Sequence, residues 1–349
     1  MSKKSTNFEL LRILLTFFIP TYHWLLYNGI FYADNSINNI VAIIPFSGIS
    51  FSCLYAFIAM SSYFLLKKKT SFQIRKVLDF GALCITLWIF KTLLISNLYS
   101  GWRMNYYIDT FFLKGAWWYV YPYVLLMIFY PYLNKFIYSC TKKTLYLCTF
   151  ISGVWFLINE AMNLTIFLND CVMFLFIYLL MGCLIQYTPG QFINKHKKSI
   201  LITSYIICVS AIILISIALK WPNNGLELEI ENEIFQWVHG RYNILGVISG
   251  LALFILFKDI EVPYHKAIHD ISKITLFVFL LHETVMSIFW YFEIKSCEFL
   301  SYLPSAEFWG LFFMYVLFCF LFAYLVYRIY YAVFAPFWKK CFDKILEGK

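Results

Sequence analysis

Ten long apolar runs occupy almost the whole of this 349-residue chain, at about 8–30, 41–66, 77–97, 117–138, 145–162, 166–186, 199–219, 243–257, 273–293 and 307–335. A helix needs about 20 mainly apolar residues to cross the hydrocarbon of a bilayer. Backbone polar groups there must be satisfied within the segment, so runs of this length imply helices. The expected fold is all-α: a polytopic membrane protein with about ten transmembrane helices. Only 13% of the residues are charged, and no stretch has the composition of a separate soluble domain. Residues 1–349 are read as one transmembrane domain. No cleavable signal is expected, because the first run is too long and contains Arg12.

The net charge of +9 raises nucleic acid as a partner, but its distribution points elsewhere. With the N-terminus in the cytoplasm, 21 lysines and arginines fall on the cytoplasmic side and 5 on the other, leaving Arg12 and Lys91 inside spans. By the positive-inside rule both termini are cytoplasmic. The charge is a topology signal, and no nucleic-acid partner is expected. The ten cysteines show no C-x-x-C pair and lie mostly inside runs, as small packing residues do.

The first run carries two ionisable residues, Arg12 and His23. Eleven steps of 100° bring them to one helix face, about 16 Å apart along the axis. Ionisable residues at membrane depth are costly and face functional cavities. An imidazole moves protons near neutral pH, and a guanidinium grips phosphate or carboxylate with a fork of donors. Packing and snorkelling are the plain alternatives for each. Pro20 lies between them and strips the Thr16 carbonyl of its helical donor.

Other candidates follow. His282 and Glu283 sit together in the ninth run, and His282 is the better candidate for a site role. Lys67, Lys68 and Lys69 read as an anchor for anionic lipid, whereas Arg75 and Lys76 stand where a phosphorylated donor would arrive. Trp117, Trp118 and Tyr119 fit an aromatic belt, with sugar stacking as the functional alternative. His265 and His269 have metal-ligand spacing but read as solvated loop, and Lys91 calls for an acidic partner or snorkelling. The alternation at Glu227, Glu229, Glu231 and Glu233 reads as a solvated outer loop. No P-loop, G-x-G-x-x-G, G-x-S-x-G or H-E-x-x-H is present, which disfavours ATP-driven pumping, Rossmann cofactors and the common hydrolases.

Four stretches in order resemble the bacterial acyltransferase-3 family: Asn7 to Arg12 with His23 at the R-x10-H spacing, Met60 to Leu65, Trp117-Trp118-Tyr119, and Ser272 to His282. Ser62 stands where the family usually has Gly, and Arg75-Lys76 where it often has R-x-x-R. The resemblance implies a multi-pass enzyme of the bacterial cytoplasmic (inner) membrane. It would move an acyl group, most simply acetyl, from cytoplasmic acyl-coenzyme A to a hydroxyl of a cell-envelope or exported polysaccharide. Arg12, Arg75 and Lys76 would hold acetyl-CoA. Trp117, Trp118 and Tyr119 would meet the carbohydrate acceptor. His23, with Arg12 and His282, would carry the catalysis, His23 as a general base or a transient acyl carrier. No metal is expected, the lipid bilayer is the remaining partner, and the oligomeric state is unreadable. A carrier or flippase for a glycan or small solute, or a structural subunit of a polysaccharide complex, are the rivals from other classes.

Overall fold

A computed structural model describes residues 6–27, 37–68, 73–98, 117–161, 166–186, 191–219, 234, 238, 243–292 and 306–346. The acidic alternation at 227–233 and most of both predicted outer loops lie outside them. Among the described residues the protein is all-helical. Helices α1 (Asn7–Tyr27), α2 (Ile37–Leu66), α3 (Ile74–Leu98), α4 (Val120–Ser139), α5 (Lys142–Ala161), α6 (Ile166–Gln186), α7 (Gln191–Leu219) and α8 (Ile244–Lys258) are followed by a short α9 (Lys266–Ser272). Then come α10 (Thr275–Tyr291), α11 (Ala306–Ile329), a π-helical turn at Tyr330–Phe334, and α12 (Ala335–Leu346).

A helix thus occupies each of the ten predicted runs. Five stretches are long and apolar enough to cross a membrane: Gly48–Leu66, Ile74–Leu98, Asn169–Gln186, His196–Leu219 and Trp309–Leu346. α9 and α10 make a sixth if their 51° bend lies within one span. On α7 and α11, residues such as Ile206, Ile207, Leu214, Leu317, Leu321 and Leu325 point outward. Apolar side chains facing out along whole helices match a lipid surround.

α1 runs through the middle of the bundle and joins two cores. Leu11 and Leu15 pack in one, with Tyr55, Tyr178 and Phe254. Trp24 and Leu25 pack in the other, with Phe277, Leu281, Phe312 and Tyr315. Ser50 donates to the Phe18 carbonyl at 3.2 Å, tying α2 to α1. Asn7 donates to the Phe257 carbonyl at 2.8 Å, tying α1 to the end of α8.

α8 lies against α2 with almost no space between the backbones. A β-carbon on Gly250 would come within 2.7 Å of the Ser52 carbonyl and 2.6 Å of Tyr55 Cβ, and one on Gly246 within 2.6 Å of the Tyr55 ring. Small residues four apart let membrane helices approach this closely. Ser52 and Ser249 hydrogen-bond across the seam at 2.7 Å.

The tenth run does not continue as a single helix. The π turn at Tyr330–Phe334 precedes α12, which packs against α3. Trp338 donates to the Thr86 hydroxyl at 2.9 Å, and Arg75 donates to Asp343 at 2.5 Å.

Candidate functional site

α1 places Arg12 and His23 as its periodicity requires, and Pro20 lies inside the helix. The two residues meet different surroundings.

At the upper level, His23 meets His282 of α10. The His23 Nδ1 to His282 Nε2 contact is 2.5 Å. The two rings lie within 9° of parallel, with centroids 4.7 Å apart. That separation is the N···N contact plus one ring radius on each side, so the rings meet edge to edge in nearly one plane.

His282 Nδ1 lies 2.6 Å from the Phe279 carbonyl. A carbonyl only accepts, so this nitrogen carries the proton. In the neutral ring Nε2 is then the acceptor, and His23 Nδ1 must donate to it. His23 is left with its lone pair on Nε2. The orientation of one imidazole by a partner that fixes its tautomer is the arrangement general bases use. Tyr315 donates to the His282 carbonyl at 3.2 Å, and Trp117 donates its indole N–H to the Leu280 carbonyl at 3.0 Å. Both hold α10 in place at the histidine pair.

Glu283 completes the level. Its carboxylate lies 3.7 Å from Lys91 Nζ, which gives the in-span lysine the acidic partner its sequence position called for. His23, His282 and Glu283 offer ligand atoms all within 4.8 Å of one another, a His2Glu set of the kind that binds zinc. The ring geometry fits a proton better. The two lone-pair directions point at each other, whereas ligands to a tetrahedral ion converge on it at an angle.

At the lower level, Arg12 is partly buried, and among the described residues no carboxylate pairs with it. Its electrostatic neighbours are Tyr123 and Glu9. Glu9, one turn earlier on α1, is held by His269 of α9, whose Nδ1 lies 2.6 Å from Oε1. The other Glu9 oxygen is buried without a hydrogen-bond partner. The solvated-loop reading of His269 is therefore corrected: α9 folds onto the start of α1 and half-buries the ring against a carboxylate. His265 remains exposed at the start of α9.

Aromatic side chains join the two levels. Tyr123 stands by Arg12 and 6.0 Å from the Tyr119 ring. The Tyr119 hydroxyl shares a 3.2 Å hydrogen bond with Ser61. The Tyr119 ring packs 5.3 Å from Phe279, which packs 6.1 Å from His282. The segment expected to form an outer aromatic belt is therefore largely internal. Trp117 is buried, and Trp118 and Tyr119 are half-buried around it. A belt tryptophan and a core tryptophan have the same local sequence, so composition could not separate them. The structure thus brings Tyr119, Arg12, His23 and His282 into one wall, while Trp117 supports it from behind.

Among the described residues no contact brings Arg75 or Lys76 to this wall. Arg75 pairs with Asp79 at 3.0 Å and with Asp343 of α12, donates to the Lys339 carbonyl at 3.4 Å, and lies over the Phe342 ring. Three of the five guanidinium N–H groups are thus engaged by the protein itself, which anchors α12 against α3. Lys76 is exposed beside it.

A family model described as an acyltransferase domain matches residues 5–328 of the chain. The chain belongs to the acyltransferase-3 family. The match spans the Arg12 level, the histidine pair and the wall between them, and it ends before α12. No curated protein and no solved structure matches the chain. The family and the apolar helices together make this a multi-pass membrane acyltransferase.

Proposed function

We propose that this acyltransferase is an O-acyltransferase, moving an acetyl group from cytoplasmic acetyl-CoA to a hydroxyl of an envelope or exported polysaccharide. In this reading ten spans place both termini in the cytoplasm of a bacterium, and the inner membrane is where the enzyme works.

The observation that carries the reading is the division along one face of α1. Arg12 is a membrane-embedded cation with which no described carboxylate forms an ion pair, and it stands about 16 Å below an oriented imidazole. A guanidinium in low dielectric needs an anion, and the diphosphate of acetyl-CoA supplies one in fork geometry. The thioester then lies toward the histidine pair.

His23 acts there as a general base. The acceptor hydroxyl gives its proton to His23 Nε2 while its oxygen attacks the thioester carbonyl. The C–O bond forms, the C–S bond breaks, and the proton passes from His23 to the departing thiolate, which leaves as the free thiol of coenzyme A. His282 accepts from His23 Nδ1–H throughout and steadies the imidazolium. A positioned base of this kind contributes about 10²–10⁴-fold. Transient acetylation of His23 Nε2 uses the same lone pair, and a hydroxylamine-sensitive label on His23 would distinguish the two routes.

Mass spectrometry of envelope polysaccharide tests the reading in cells with no gene, the wild type, or His23→Ala at matched protein level. A +acetyl species present only with the wild type is expected. Identical glycan masses in all three would contradict acyl transfer to that polymer and favour a carrier.

A further inference from the structure

The last stretch apolar enough to cross a membrane runs for 38 residues, Trp309–Leu346. At 1.5 Å per residue that is about 57 Å, nearly twice the hydrocarbon thickness of a bilayer. The 24 residues of α11 suffice to cross it. α12 follows the π turn and is left for the membrane surface, outside the stretch that matches the family.

The side chains of α12 sort into stripes. Trp338 and Phe342, four residues apart, stack at 5.7 Å and face α3, where Trp338 bonds the Thr86 hydroxyl. Phe337, Cys341 and Ile345 have the same spacing and form a second apolar stripe beside the first. α3 leaves this one open: Phe337 is 57% exposed and Ile345 70%. Lys340 and Lys344 form the next stripe round, and Lys339 lies on the polar side beyond them. All three lysines are exposed, and among the described residues none of them is in an ion pair. Asp343, the one acid of α12, is engaged by Arg75.

Two observations point to what covers the open stripe. Phe337 continues a row of exposed apolar side chains spaced four apart: Leu321, Leu325, Ile329 and Val333. The row descends the outward face of α11 and crosses the π turn, so the surround of α11 extends onto α12. Unpaired cations flank the end of that row. Apolar side chains bordered by lysines match the boundary between acyl chains and anionic headgroups.

We propose that α12 is an interfacial helix that docks on anionic lipid, with Phe337 and Ile345 in the acyl layer and Lys339, Lys340 and Lys344 on lipid phosphates. Trp338 and Arg75 hold it against α3 at that depth. A zwitterionic surface supplies the apolar layer without net charge, so the lysines select anionic headgroups. The inference is independent of the acyl donor and acceptor.

The test is hydrogen exchange over residues 335–346 of the full-length protein in two kinds of nanodisc. One kind is phosphatidylcholine alone, and the other is equal parts phosphatidylcholine and phosphatidylglycerol. Wild type is compared with Lys339→Gln/Lys340→Gln/Lys344→Gln, with thermal melting of each in neutral discs to confirm an intact fold. Wild-type α12 is expected to exchange at least about tenfold more slowly in the anionic discs, and the triple variant to exchange alike in both. Equal wild-type exchange in the two discs overturns the proposal and leaves a second copy or a soluble partner as the cover. Equal slowing in the triple variant also overturns it, because the lipid charge then acts through other residues.

Discussion

Arg12 and Arg75 carry the same guanidinium, and their surroundings use it in opposite ways. Arg75 meets two carboxylates and a backbone carbonyl and lies over an aromatic ring. It closes α12 against α3, as an exposed structural ion pair does. Arg12 stands inside the bundle, where the nearby Glu9 is already engaged by His269. A positive charge near a membrane mouth is therefore an ambiguous signal by itself. The carboxylates that fold brings to it, or keeps from it, decide whether it binds a ligand.

The comparison breaks most sharply at Arg12. Arg12→Ala should lower acetyl transfer by at least about a hundredfold, on the scale of losing a charge-assisted fork, measured on membranes with matched protein level. An intermediate effect is expected at His269. Without it, the Glu9 carboxylate is free to turn toward Arg12 one turn along α1 and to compete with the donor. His269→Ala should raise the acetyl-CoA Kd by about tenfold, and adding Glu9→Gln should restore it. A double variant as weak as the single one would show that His269 acts otherwise. The smallest effect belongs to Arg75. Arg75→Ala should leave acetyl-CoA affinity within about twofold and lower the melting temperature by at most about 3 °C, because exposed pairs are weak.

Much of the architecture was legible from local pattern. Each apolar run became a helix, since buried or lipid-facing backbone has few other options. The shared face of Arg12 and His23 followed from helical periodicity, and of the two readings of Lys91, an acidic partner or snorkelling, the first is met by Glu283.

What stayed hidden was long-range. His23 and His282 are 259 residues apart, and no local rule pairs them. Glu9 with His269 is a similar case: a seven-residue helix after a polar loop looks solvated until the fold lays it on α1. The ion pair of Arg75 was hidden as well, because Asp343 arrives from the far end of the chain. Trp117 has one environment in the sequence and another in the fold, where its indole is buried against α10.

The most direct measurement sets Arg12→Ala beside His23→Ala in acetyl-CoA binding and single-turnover acetyl transfer, in nanodiscs. The account predicts a split: Arg12→Ala loses donor binding, whereas His23→Ala binds acetyl-CoA like the wild type and fails to transfer. Wild-type donor affinity in Arg12→Ala, or undiminished transfer by His23→Ala, would contradict it.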